Sequence, residues 1–197
     1  MDKILIIDGH GLAHRAFHAM EGRDFTAPDG TPTGMILGFT NMLARALDDV
    51  KPRCCVAVFD AHGPTFRHEM LPQYKANRQP SPPELRQQMP IIQELLKLMG
   101  FPVLSEQGVE ADDVIASLAL AAAKKNLHVV ILSSDKDLMQ MIGPGTDMLR
   151  PIKRGISEAQ TFDAASFEAE YGFARRPCRI ISRCLATRQT TCPASRG

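Results

Sequence analysis

Lys3-Ile4-Leu5-Ile6-Ile7-Asp8-Gly9 is an unbroken apolar run that stops on a carboxylate and a glycine. A short run with apolar residues at consecutive rather than alternate positions fits a strand covered on both faces, as in parallel sheets. The same grammar returns twice. Cys54-Cys55-Val56-Ala57-Val58-Phe59 ends on Asp60, and Val129-Val130-Ile131-Leu132 runs into Ser133-Ser134-Asp135 and a short helix. Between these runs the apolar spacing turns helical. Met35, Leu37, Phe39, Met42, Leu43 and Leu47 predict a helix over Gly34 to Val50. Further helices are expected over His10 to Met20, Pro83 to Gly100 and Glu110 to Lys125, the second with Pro in its first turn and Gly at its end. Residues 24–33, with Pro28, Gly30 and Pro32, read as a loop. Pro102 to Leu104 reads as a short strand, and Thr146 to Gln160 as a hairpin turning at Gly155. Phe162 to Tyr171 reads as a last helix. Strands alternating with helices predict an α/β fold, a parallel sheet flanked by helices. In such sheets ligands bind beyond the carboxyl ends of the strands.

The chain has 197 residues, which suggests one sizeable domain or one domain plus an appendage, and its 44% hydrophobic composition is enough for a real core. That balance excludes a disordered or collagenous chain, and no apolar run approaches the roughly 18 residues of a membrane span. The N-terminus enters a strand without a signal peptide, so a cytoplasmic location and no membrane partner are expected. The five cysteines, Cys54, Cys55, Cys178, Cys184 and Cys192, fit no zinc spacing, and buried free thiols are expected in the apolar run at Cys54 and Cys55. The net charge of +1 hides an asymmetry. Residues 175–197 hold six Arg and no Lys, Asp or Glu, which leaves 17 basic against 22 acidic residues in the rest.

The acidic residues are not scattered. Asp8 and Asp60 end strands, Asp135 and Asp137 follow a third, and Glu110, Asp112 and Asp113 open a helix. Parallel strands present their carboxyl ends at one edge, so these seven carboxylates converge there. Crowded carboxylates repel one another, and a hard cation relieves the repulsion. Two such ions about 3.5–4 Å apart activate water and stabilise the leaving oxygen in phosphodiester hydrolysis. Each acid also has a plainer use, as a helix cap or turn residue, or as a favourable charge at a helix N-terminus. Asp48 and Asp49 near a helix end read as solvated charge. Acids at three strand ends and one helix start together favour the metal site. His10, His14 and His18 share a helix face, but no acid or Cys joins them at ligand spacing, so a polar face or substrate contact is expected.

Residues 61–82 are polar and basic, and directly follow Asp60. Arg67, Lys75 and Arg78 with Phe66 and Tyr74 interleaved suit phosphate neutralisation and base stacking. Alone the stretch reads as a solvated loop. Beside a carboxylate cluster it reads as a phosphate clamp.

Ile7-Asp8-Gly9, Phe59-Asp60, Phe66-Arg67, Tyr74-Lys75-Ala76-Asn77-Arg78, Glu110-Ala111-Asp112-Asp113 and Ser134-Asp135-Lys136-Asp137 occur in that order. As a set they resemble the N-terminal 5′-nuclease domain of bacterial DNA polymerase I, a relative of flap endonucleases with a PIN-like fold, over residues 1–173. The resemblance implies 5′→3′ exonuclease and flap-endonuclease activity in primer removal and repair. It implies Mg²⁺ or Mn²⁺ as cofactor, held by Asp8, Asp60, Glu110, Asp112, Asp113, Asp135 and Asp137. It implies a DNA partner with a 5′ single-stranded flap or a nick, a helical arch around residues 66–85, and no obligate protein partner, so a monomer in the bacterial cytoplasm near the nucleoid. Lys75 and Arg78 then contact the scissile phosphate and Tyr74 stacks nearby. Phe66 and Arg67 also face the DNA, with Thr33 and Gly34 close to it.

The resemblance stops near Ala174. The family continues with two more metal-site aspartates and a helix–hairpin–helix that grips duplex DNA; neither follows here. Read one nucleotide early, however, Arg179 to Cys184 permits Asp-Tyr-Leu-Ala-Leu. Leu185 to Gly197 then permits Leu-Gly-Asp-Ala-Thr-Asp-Asn-Val-Pro-Gly-Val-Ala-Gly, which resembles the missing aspartate segment. Residues 174–197 are therefore expected to be a frameshifted tail that does not pack, leaving the two-ion site incomplete and flap cleavage impaired. The gene's codons 179–197 test the frameshift directly. Two other readings compete: a DNA-binding fragment without chemistry, and a phosphatase with an aspartyl nucleophile. The phosphatase wants a second Asp two residues after Asp8, where His10 stands.

Overall fold

The computed structural model describes residues 2–71, 73–77, 79–151 and 159–172. The elements run β1 (Lys3–Asp8), α1 (Gly9–Ala19), α2 (Gly34–Val50), β2 (Cys54–Val58), α3 (Phe66–Met70), α4 (Pro83–Leu98), β3 (Val103–Leu104), α5 (Ala111–Lys124) and β4 (His128–Leu132). A short 3-10 helix (Asp137–Met141), β5 (Thr146–Pro151), β6 (Ala159–Phe162) and α6 (Ala164–Tyr171) follow. The six strands form one sheet in the order β3-β2-β1-β4-β5-β6. The first five strands in that order are parallel, and only β6 is antiparallel, against β5.

β1 lies between β2 and β4, with Ile6 opposite Val56 on one side and Ile131 on the other. Its alternate residues feed two cores. Leu5 and Ile7 pack with Leu12, Met35, Phe39, Leu43 and Ile92 from α1, α2 and α4. Ile6 packs with Ile115 and Ala119 of α5 on the opposite face. Leu5, Ile6 and Ile7 are all buried, which is why the run carries no polar alternation. The register also decides function: β1, β2 and β4 all run one way, so Asp8, Asp60 and Ser133 to Asp135 leave the sheet at the same edge.

The departures from expectation are local. The expected buried state holds for Cys55, whose thiol burial pushes up to about 11 with Cys54 adding to it, but Cys54 is exposed at the start of β2. Cys178, Cys184 and Cys192 lie outside the described residues, as do Gly155 and the expected unpacked tail. Phe162 belongs to β6 and not to the last helix. That helix waits for its cap, since the Asp163 carboxylate accepts the Ser166 amide at 2.7 Å. The hairpin is present as β5 and β6, and β5 also extends the parallel sheet. Among the described residues no helix is long and apolar enough to cross a membrane.

Thr33 stands at the N-cap of α2 but makes no side-chain cap bond. Gln88 of α4 takes over. Its buried Oε1 accepts the Met35 amide at 2.9 Å and the Ile36 amide at 3.3 Å, while its Nε2 donates to the Glu84 carbonyl. A long-range glutamine thus satisfies amides that a helix start leaves unpaired. Gln88→Leu strands both N–H groups in a dry setting and is expected to destabilise the fold by about 2 kcal/mol. A denaturant melt checks this; an unchanged midpoint would show that water reaches those amides.

Candidate metal centre

Asp8 is the hub of the strand edge. It ends β1, is buried, and caps α1: one carboxylate oxygen accepts the Gly11 amide at 2.8 Å, the other the Ser133 hydroxyl at 2.5 Å. Burial lifts its carboxyl above the ordinary range against those two bonds, and Asp135 and Asp60 push the same way. The spacing of the motif follows from contact. A Cβ on Gly11 would stand 2.1 Å from an Asp8 carboxylate oxygen, and one on Gly9 would stand 2.3 Å from the Phe59 ring. A larger residue at Gly11 therefore displaces the Asp8 carboxylate, and one at Gly9 displaces the Phe59 ring.

Asp60 draws the second element to this edge. Its Oδ1 accepts the Ala111 amide, the first of α5, at 2.8 Å, and its own amide donates to His10 Nδ1 at 3.0 Å. The start of α5, with Glu110, Asp112 and Asp113, is thereby held beside the strand ends. Asp112 records the crowding. Its carboxyl is pushed up to about 7, first by burial and then by the charges of Asp8, Asp135, Asp60 and Glu110. Carboxylates from the end of β1, the residues just after β2, the N-cap of α5 and the loop after β4 therefore all act on Asp112. Asp135 is fixed in turn: its amide donates to the Ser133 hydroxyl and its Oδ1 accepts the Asp137 amide. Asp137 itself is exposed at the start of the 3-10 helix.

The basic segment folds down onto the same edge. Lys75 Nζ reaches Glu110 Oε1 at 2.8 Å, and the Tyr74 hydroxyl donates to Oε2 at 3.1 Å. Burial works to lower the Lys75 ammonium, and the Glu110 carboxylate outweighs it and raises it. Lys75 has left-handed backbone geometry, with φ at +55°, in the region L residues avoid at about 1–2 kcal/mol. Arg67 forks onto Asp113 at 2.5 and 2.8 Å and stands 3.4 Å from Glu110. Its guanidinium also lies over the Phe66 ring. Between α3 and α4 the described residues 73–77 form turns, so α3 is the one helix there among the described residues. Arg78 lies outside them.

Six of the seven expected metal carboxylates thus sit at or beside one edge, while Asp113 is engaged by Arg67. Among the described residues no three Asp, Glu, His or Cys side chains already surround a common point. Arg67 and Lys75 lie against Glu110 instead. The donor set is nonetheless suited to a hard divalent cation: all oxygen and partly dry, with burial and then mutual repulsion pushing the Asp112 carboxyl up to about 7. Of the three histidines, His10 meets the acidic edge and packs edge-on against Phe59, and His18 lies near Glu21 on the surface. Thr33 and Gly34 open α2, part-buried. Ser133 and Gln88 were not legible as site or support residues from the chain. The only signal at Ser133 is a hydroxyl placed directly after a buried strand.

The family described as 5′-3′ exonuclease, N-terminal resolvase-like domain matches residues 3–172. DNA polymerase I of Mycobacterium tuberculosis is 38% identical over 173 residues, covering 88% of this chain and 19% of that protein. Thermostable DNA polymerase I of Thermus aquaticus is 42% identical over 149 residues, 76% of this chain and 18% of that protein. The chain therefore spans about a fifth of the length of these relatives. In fold it is similar to a bacteriophage T5 flap endonuclease solved with DNA and metal ions. The TM-score is 0.66 at 20% identity, covering 86% of this chain and 61% of that one. The T5 5′-exonuclease with bound zinc gives a TM-score of 0.64 at 21% identity, with the same coverage.

Proposed function

Because the chain belongs to the 5′-3′ exonuclease family, as its N-terminal resolvase-like domain, we propose that it is built for metal-dependent 5′→3′ exonuclease and 5′-flap cleavage of DNA. The processes it would serve are primer removal and repair. The observation that carries this reading is the meeting of Asp8, Asp60, Glu110, Asp112 and Asp135 at one strand edge under a basic segment, where burial first and then the other four carboxylates push the Asp112 carboxyl up to about 7. A phosphate backbone approaches so acidic an edge only when cations are present to neutralise it. Asp8, Asp60, Glu110, Asp112, Asp135 and Asp137 would hold Mg²⁺ or Mn²⁺, which activates water and stabilises the leaving oxygen.

The chain's own groups do the rest. Lys75 supplies a positive charge directly above Glu110, where the scissile phosphate would lie. Tyr74 offers a ring on which a base can stack, and Arg78 a second cation for the phosphate. Ser133 and the Gly11 amide fix the orientation of the Asp8 carboxylate at the end of β1, as outer-shell partners of a metal ligand do.

We also propose that cleavage by this chain is impaired, because residues 175–197, with six Arg and no Asp or Glu, stand where the resemblance implies two further metal-site aspartates. A chain that binds DNA without cutting it is the alternative. A 5′-flap assay in Mg²⁺ or Mn²⁺ separates them, run on this chain and on one read in the alternate frame from near Ala174. The alternate-frame chain is expected to cleave about a hundredfold faster or more. Equal rates would refute the impairment. An inactive alternate-frame chain would refute the nuclease reading.

A further inference from the structure

Asp112 and Asp113 are neighbours on α5, and consecutive helical positions lie about 100° apart around the axis. The structure uses that difference. Asp112 turns to the carboxylate edge. Asp113 turns to the basic segment, where Arg67 Nη2 donates to Oδ1 at 2.8 Å and Nη1 to Oδ2 at 2.5 Å. The Glu110 amide completes the set on Oδ2 at 3.3 Å. Both oxygens of Asp113 are thus already engaged, in the two-pronged geometry that makes Arg–carboxylate pairs strong and directional.

The partner side explains why such a bond is needed. α3 has five residues, too short to be stable alone, and none of them is buried. Met70 and Leu71 at its end are exposed. What holds α3 is polar: the Thr65–His68 capping box, the Phe66 amide on the Gly108 carbonyl, and the Arg67 fork. Tyr74 and Lys75 come directly after, so their place over Glu110 depends on where α3 stands.

We propose that Arg67 and Asp113 are positioning residues: they fix the foot of the basic segment on α5, and Asp113 serves that anchor and not the metal. The proposal rests on the reading of the acidic edge as a metal centre, and it parts company with the role the resemblance implies for Asp113. Arg67 is correspondingly an internal strut, and among the described residues Lys75 is the cation of the segment left for DNA.

Asp113→Asn, Arg67→Met and Asp112→Asn in the full chain test this with two readouts that need no turnover. Amide exchange at Phe66–Met70 reports the anchor. It is expected to rise about tenfold or more in Asp113→Asn and Arg67→Met, with β1 and β4 unchanged. Calorimetric titration with Mn²⁺ reports the metal. Its Kd is expected to stay within about threefold in Asp113→Asn and to weaken about tenfold or more in Asp112→Asn. A role confined to general stability does not produce that split between adjacent aspartates. Asp113→Asn weakening Mn²⁺ as much as Asp112→Asn, or leaving exchange at α3 unchanged, would overturn the proposal. Should Asp113→Asn unfold, seen as exchange in β1 and β4, Arg67→Lys leaves α5 intact and decides by the same α3 reading. If the unsubstituted chain takes up no Mn²⁺, the metal reading fails, and exchange at α3 alone decides the anchor.

Discussion

Asp112→Asn is expected to slow metal-dependent 5′-flap cleavage about a thousandfold, equivalent to about 4 kcal/mol of transition-state stabilisation. The measurement belongs in the chain read in the alternate frame, as single-turnover rates at saturating Mg²⁺. The substitution keeps the shape of the side chain and removes one charge from the place where Asp8, Asp135, Asp60 and Glu110 all act. The same change is expected to raise the melting temperature of the metal-free chain, because it removes the carboxylate that those charges and burial disfavour. The two signs together are the signature of a site kept for function against its effect on stability. A rate within tenfold of the parent would sink the assignment of Asp112. So would a lower melting temperature in EDTA.

Stability of the metal-free chain is expected to fall as pH rises from about 4 to 7, and the sign comes from Asp112. Its carboxyl is raised from 3.8 to about 7 in the folded chain. Within that window the folded state holds the proton more than the unfolded state does, so raising pH favours unfolding. Below the window both states are protonated, and above it both are ionised, so the slope vanishes at either end. Asp8, also raised, adds in the same direction. Asp29 and Asp163 are lowered by bonds to Thr31 and Ser166, so their opposite contributions act below the window.

A divalent cation reverses the trend, since it binds the ionised carboxylates. A ligand at a hundredfold over its Kd adds about 2.7 kcal/mol to the folded state. Melts with EDTA and with Mg²⁺ at pH 5 and pH 8 check both halves. The gain from Mg²⁺ should be larger at pH 8, and Asp112→Asn should flatten the EDTA curve. A metal-free chain that grows more stable from pH 5 to 7 would contradict the crowding.

Lys75 links these acids to the basic segment. In the structure its ammonium lies on Glu110, with backbone in the left-handed region. A strained backbone at a charged residue persists only where surrounding contacts hold it, and here the contacts are the Glu110 carboxylate and the Tyr74 ring. A cation held by Glu110, as proposed, would share that carboxylate with Lys75.

The chain alone carried the sheet and the acidic strand ends. Lys3 to Ile7 and Val129 to Leu132 are legible because burial on both faces demands consecutive apolar residues, a local pattern with no knowledge of partners. Asp8, Asp60 and Asp135 are legible for a related reason, since parallel strands send their ends to one edge. The order of the strands, the antiparallel β6, and the exposure of Cys54 came only with the packed sheet. So did the division of labour between Asp112 and Asp113, identical and adjacent in the chain. Their difference comes from what each meets across the fold: other carboxylates in one case, and in the other Arg67, 46 residues away. Gln88 over α2 and Ser133 on Asp8 belong to the same class, 53 and 125 residues from the groups they hold. Hydrogen bonds and charge coupling act over a few ångströms in space, so separation along the chain conceals them until the sheet brings the ends together.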